Sequence, residues 1–173
     1  NNDSGTSNTV FGKLAGDDLN ANAGFNVLIG EDAGGSLTGG TNSGDENCII
    51  GSNAVDTSTD AFRVTAIGTS VMRGALTTAA EGAVGIGYLA LNVLTSGVGN
   101  TAVGFESLKT ENDGSRNTAI GYKALTTLNT SAGNGQTTAV GFEAGMDVST
   151  GINNTFVGSR AGNQGTHDIT TGS

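Results

Sequence analysis

The sequence predicts an all-β protein, a parallel β-solenoid or β-roll of about nine coils. Three observations lead there. A repeat runs in phase through most of the 173 residues, glycine occurs 30 times without a single proline, and short Thr/Val/Ile runs each stop at a glycine. Proline has no N–H to donate, so its absence suits unbroken hydrogen-bonded ladders. A helical solenoid is excluded by the same composition. Each helix-interior glycine would cost about 1 kcal/mol, and no apolar stripe recurs at helical spacing.

The repeat is clearest in the second half. Asn100-Thr101-Ala102-Val103-Gly104-Phe105-Glu106-Ser107-Leu108 returns as Asn117-Thr118-Ala119-Ile120-Gly121-Tyr122-Lys123-Ala124-Leu125. It returns again from Thr137 to Gly145 and from Asn154 to Gly162, and earlier copies start at Asn8, Asn26 and Asn47 and surround Gly68 and Gly87. The nine copies centre on Gly12, Gly30, Gly51, Gly68, Gly87, Gly104, Gly121, Gly141 and Gly158, never closer than 17 residues. A constant minimum with occasional additions implies a fixed coil with variable loops.

Each copy begins with a β-prone run whose side chains alternate between faces. Both faces are apolar, so a layer is needed on either side. The expectation is that the Val/Ile position before the glycine points into the coil, together with the Thr column (Thr9, Thr65, Thr101, Thr118, Thr138, Thr155) and Cys48. A return strand of the same coil is expected as the second layer. The alanine face (Ala66, Ala102, Ala119, Ala139) is then left to meet other chains. The glycine supplies a positive φ or lets another backbone come close. Leu91, Leu108 and Leu125 are expected to fill the coil. The segments after them are rich in Gly, Asn, Asp, Ser and Thr, as turns are. Stacked coils at ~4.8 Å would give a rod segment of ~43 Å.

Composition narrows the function. Apolar residues are 35% of the chain and aromatics 5%, too few for an ordinary compact core. A net charge of -9 argues against nucleic acid and anionic membranes as partners. No apolar run reaches the length of a membrane span, and one cysteine rules out an intrachain disulfide framework. Residues 1–173 read as a single repeat domain. The repeats run close to both ends without an obvious cap, which suggests a piece of a longer fibre.

Sites of chemistry are sparse. Gly85-Ile86-Gly87-Tyr88-Leu89-Ala90 spells a dinucleotide fingerprint, but it falls in phase with the repeat and lacks a βαβ unit. His167 is the single histidine, with no second ligand to complete a zinc site; beside it Asp168 has no nucleophile motif to serve. Acidic turns at 16–18, 31–32, 44–46 and 111–114 could attract a hard cation, yet none matches a calcium-loop pattern. The sequence therefore predicts no catalytic residues, no cofactor and no metal site. Tyr88, Phe105, Tyr122 and Phe142 recur just after the glycine in four successive coils and should form a ladder. Its expected role is packing, or stacking on a glycan if exposed. Glu106, Lys123 and Glu143 beside it suggest that one side is wet.

The Asn-Thr-Ala-Val-Gly frame, followed by an aromatic residue, Glu or Lys, Ala and Leu, resembles the head repeats of trimeric autotransporter adhesins. Similar repeats occur in bacteriophage tail fibres. The resemblance covers residues 8 to 162 and is strongest from Ala83. It implies a left-handed parallel β-roll, three of which pack around a threefold axis as a homotrimer, and attachment to a cell-surface glycan or protein receptor. The minimum coil of 17 residues is a little longer than in adhesin heads and closer to the phage repeats. The resemblance carries over no fixed set of binding residues. On this reading the chain is a structural or attachment module on a bacterial surface or a virion, without enzymatic activity. A monomeric solenoid binding ice or glycans is the alternative. A receptor site would be expected on the longer loops, Gly34–Glu46, Asp56–Arg63, Arg73–Gly82 and Thr126–Gln136.

Overall fold

The computed structural model describes residues 7–19, 21–38, 44–131 and 133–163. It is all-β, a parallel β-solenoid with one short strand per coil. The strands are β1 (Thr9–Phe11), β2 (Val27–Ile29), β3 (Cys48–Ile50), β4 (Thr65–Ile67), β5 (Val84–Ile86), β6 (Thr101–Val103), β7 (Thr118–Ile120), β8 (Thr138–Val140) and β9 (Thr155–Val157). They form a single nine-stranded sheet in chain order, so about eight full turns separate the first strand from the last. Register follows the repeat: Thr101, Ala102 and Val103 lie over Thr118, Ala119 and Ile120. No α-helix occurs among the described residues. One 3₁₀ turn, Thr78–Ala80, lies in the loop before β5, with the Thr77 side chain accepting from the Ala79 N–H.

The return half of each coil is not a strand, contrary to expectation. It is a chain of tight turns whose backbone bonds run from coil to coil. The N–H of Glu106 donates to Tyr88 O (2.8 Å), that of Lys123 to Phe105 O (2.8 Å), and that of Leu108 to Ala124 O (2.9 Å). Left-handed backbone makes these corners. Leu89, Glu106, Lys123, Glu143 and Arg160, two residues after the glycine, have φ of 52° to 57°, and Leu91, Leu108 and Leu125, four after it, have φ of 49° to 51°. Such a conformation costs an L-residue roughly 1–2 kcal/mol. The bonds that continue the ladder around each corner offset that cost.

The strand faces are also reversed relative to expectation. The middle residue is the more buried one in every strand: Leu28, Ile49, Ala66, Ala102, Ala119 and Ala139 are fully buried, and Val10 and Phe156 of the end strands partly so. The flanking Thr and Val/Ile positions point outward and are partly or largely exposed. The alanine face is thus the coil's own interior, and Cys48 is on the outer face. Leu91, Leu108 and Leu125 are buried as expected.

The physical reason for the reversal lies across the coil. In the first two coils a large strand centre meets a small residue four after the glycine, Val10 with Gly16 and Leu28 with Gly34, whereas in the third Ile49 and Val55 are both sizeable and both fully buried. Where the centre is small, that position is large, as in Ala66 with Met72, Gly85 with Leu91 and Ala102 with Leu108. A Cβ on Gly34 would come within 2.8 Å of Leu37 Cδ1 and 3.0 Å of Leu28 Cδ2. Gly145, opposite Ala139, departs from this pairing because Leu125 of the preceding coil and Phe156 of the next share its space; a Cβ there would lie 2.7 Å from Leu125 Cδ2 and 3.1 Å from Phe156 Cδ2. Interiors keep near-crystalline packing density, so the two walls share one volume.

Candidate functional site

Two exposed strips run along the rod and meet at a corner. The first is the outer face of the sheet. It carries one column of Thr9, Val27, Cys48, Thr65, Val84, Thr101, Thr118, Thr138 and Thr155, and a second of Phe11, Ile29, Ile50, Ile67, Ile86, Val103, Ile120, Val140 and Val157. Neither column holds an acid or a base. Alternation within each three-residue strand turns both columns outward once its centre is committed to the core. Ile120 is 40% exposed and Val157 70%.

The corner is a ladder of glycines. Gly104 has φ 139°, and a Cβ there would lie 2.3 Å from Gly121 O. Backbone conformation and backbone proximity therefore both demand glycine.

Just past the corner stands the second strip. Tyr88, Phe105, Tyr122 and Phe142 stack in sequence with ring centroids 5.2, 5.2 and 5.3 Å apart. The last two pairs are within 11° of parallel. Each residue is 40% to 46% exposed. The rings face one another, and the Arg160 guanidinium lies 5.6 Å from the Phe142 centroid. A ligand laid along this ladder would meet ring edges and tyrosine hydroxyls more than ring faces.

The flanking row is charged and internally paired. Lys123 Nζ reaches Glu106 Oε2 at 3.7 Å, Lys109 Nζ reaches Glu106 Oε1 at 2.9 Å, and Arg160 Nε donates to Glu143 Oε2 at 2.9 Å. Other cations bridge successive coils in the same way. Arg63 contacts Glu46 and Glu81, and these hydrogen bonds, Glu46 first, hold its guanidinium above its ordinary value. Arg73 grips Asp56 through two bonds of 3.0 and 2.9 Å, whose hydrogen bonding and then charge raise it likewise. Exposed pairs of this kind are screened by solvent and stabilise little; here their main effect is to cancel charge locally.

The other candidates come to less. Asp17, Asp32 and Asp56 line a shallow depression of about 270 Å³ with Leu14, Gly35 and Ser36. Asp56 is engaged by Arg73, and among the described residues no group of three or more acids, histidines or cysteines comes together as a metal-ligand set. The dinucleotide-like stretch lies in β5 and the corner after it. Gly85 is there because a Cβ would lie 2.8 Å from Val71 Cγ2 and 2.9 Å from Met72 Cε. His167 and Asp168 lie outside the described residues. Parts of the 34–46 and 126–136 loops do so too.

Two buried polar features escaped sequence reasoning. Asparagines preceding the strands form an internal ladder. Asn8 Oδ1 accepts from Asn26 N (2.9 Å), Asn26 Oδ1 from Asn47 N (3.0 Å), and Asn100 Oδ1 from Asn117 N (2.9 Å). The recurring Asn of the repeat was the signal. The second is Glu111, fully buried in a column that Leu94 and Leu128 occupy in adjacent coils. Its carboxylate accepts from Gly114 N (2.8 Å), Thr130 N (3.1 Å) and Thr130 Oγ1 (3.0 Å). Glu111 reads as an acidic turn residue in the sequence, although it stands seven after Gly104, the position that Leu94 and Leu128 hold after Gly87 and Gly121. It ties the 126–136 loop to the preceding coil.

Comparison of the chain with protein-family models, curated proteins and solved structures returns no match. No helix among the described residues is long and apolar enough to cross a membrane.

Proposed function

We propose that this chain is a structural and attachment module. Copies pack side by side through the outer sheet face into a homotrimeric rod, a segment of a phage tail fibre or bacterial surface adhesin that carries or presents a receptor-binding surface for a glycan or protein. The role is non-enzymatic and its setting is a virion or an extracellular surface. The observation that carries this reading is the uncharged apolar outer face of all nine strands. At ~43 Å long by strand spacing and ~10 Å wide for three-residue strands, its area of ~430 Å² lies within the range of the largest patch on ordinary monomers. An open face of this kind invites a partner, and for a chain of net charge -9 an uncharged strip is where copies can meet without repulsion.

Light scattering on a size-exclusion column tests this. The expected mass is that of three chains, and Ile120→Glu, which places a charge on the face in β7, should reduce it to one. A wild-type chain that stays monomeric at high concentration would overturn the proposal.

One observation favours a second reading. Thr101, Thr118, Thr138 and Thr155 lie in register on the outer face, beside a column of Val and Ile. A regular hydroxyl-and-methyl array suits ordered water at an ice surface, or a carbohydrate. A monomer showing thermal hysteresis in the cold would support this reading over the fibre.

A further inference from the structure

The rungs of the aromatic ladder alternate in chemistry. Tyr88, Phe105, Tyr122 and Phe142 follow one another on four successive coils, each 40% to 46% exposed, with ring centroids 5.2, 5.2 and 5.3 Å apart. A hydroxyl therefore falls on every second rung. Neither the Tyr88 nor the Tyr122 hydroxyl is engaged by another protein group among the described residues. Beside the rings runs a row of both signs, with Lys109 and Lys123 on Glu106 and Arg160 on Glu143.

We propose that this ladder is the binding site for a neutral β-1,4-linked polysaccharide, laid along the rod with one sugar to each coil. The inference deepens the reading of the chain as an attachment module and rests on the glycan arm of that reading, not on how copies assemble. The sheet face lies before the glycine corner and the ladder past it, so packing through the sheet does not require the ladder.

Spacing is the first argument. Equatorial bonds at both ends of each sugar keep a β-1,4 chain straight, as a flat ribbon. Its advance per sugar matches the 5.2 to 5.3 Å between rungs. The ribbon turns over at each linkage, so like groups face the same way at every second sugar. The ladder has the same two-rung period, with hydroxyls at Tyr88 and Tyr122 and none at Phe105 and Phe142. An α-1,4 chain coils and leaves the line of the rungs.

The second argument is chemistry. Stacked rings hide their faces and turn their edges outward. Ring edges carry the positive end of the aromatic quadrupole, which suits the ether and hydroxyl oxygens that fringe a sugar ribbon. Each phenol adds one donor and an acceptor. The flanking Lys, Arg and Glu side chains offer hydrogen bonds of both senses to the remaining hydroxyls. A net charge of -9 on the chain works against an anionic polymer.

Titration calorimetry on the intact chain tests this, with cello-oligosaccharides as the probe. Cellohexaose should bind. Affinity should rise from cellobiose to cellotetraose and then level off, because four rungs seat four sugars. Maltohexaose, its α-1,4 counterpart, should bind far more weakly. Tyr122→Phe keeps the ring stack and removes only a hydroxyl; it should weaken cellohexaose binding about 2- to 10-fold, the worth of one hydrogen bond. Thr118→Val, on the sheet face, should leave it unchanged. The inference falls, and the fibre reading stands, if a trimeric wild type binds none of these sugars. It also falls if maltohexaose binds as tightly as cellohexaose, or if Thr118→Val weakens binding and Tyr122→Phe does not. Tighter binding of oligomannuronate, an anionic ribbon of the same linkage, would overturn the neutral assignment. A monomer that binds cellohexaose through Tyr122 keeps the inference and overturns the trimer, and a monomer that binds no sugar overturns both.

Discussion

At Gly104 two demands coincide, and they can be separated experimentally. Its φ of 139° is strained for any side chain, and a Cβ would lie 2.3 Å from Gly121 O. Gly158 has φ 125°, but a Cβ added there would meet no atom within 4 Å. Gly104→Ala should therefore cost several kcal/mol, and Gly158→Ala only the ~1–3 kcal/mol of backbone strain; urea unfolding of the two variants checks the gap. The core offers a second residue-scale test. Gly145→Leu alone should overpack against Leu125 and Phe156 and cost about 1–3 kcal/mol. Phe156→Ala alone should cost about 3 kcal/mol by opening a cavity. Together they recreate the Ala119, Leu125 and Ala139 arrangement of the preceding coils, so the double variant should be more stable than the sum predicts, by at least ~1 kcal/mol. Simple additivity in that thermodynamic cycle would refute the shared-volume account of the two walls.

At the scale of elements, three-residue strands are too short to be stable alone. What holds each coil is its stacking on the next, by sheet bonds, turn-to-turn bonds and the asparagine ladder. Glu111 shows how a polar side chain can serve inside such a stack. Its oxygens are surrounded by donors from Gly114 and Thr130, so an amide placed there would set N–H against N–H. Glu111→Gln should destabilise the protein by about 1–3 kcal/mol and speed hydrogen exchange at the Gly114 and Thr130 amides in particular. Uniform exchange across the chain would mean that Glu111 does not hold the 126–136 loop. This role was not legible beforehand, because an acid beside Asn112, Asp113 and Gly114 looks like any solvated turn, and only the phase of the coil shows that it takes a leucine's place.

For the molecule as a whole, stability should approximate a sum over coils and their contacts. Side-by-side assembly adds a concentration-dependent part. If copies form a trimer, tenfold dilution should remove about 1 kcal/mol per chain, lowering the melting temperature by roughly 2–4 °C. A melting temperature independent of concentration would mark an isolated rod and shift weight to the threonine array as a monomer's binding surface.

The period, the corner glycines, the parallel in-register stacking and the aromatic ladder follow from the sequence itself, because each is a local rule repeated in phase. Phe105 over Tyr122 needs no more than the register that places Gly104 over Gly121. Which strand face is interior was decided only by the tertiary structure. Ala102 and Val103 are both apolar, so alternation separates them without saying which is inside. The left-handed turn that sets Leu108 opposite Ala102 settles it, since a strand centre as small as Ala102 leaves room for a large side chain and Leu108 takes it. The same packing turns Thr101, Val103 and their counterparts outward, and so leaves the uncharged face on which the proposed assembly depends.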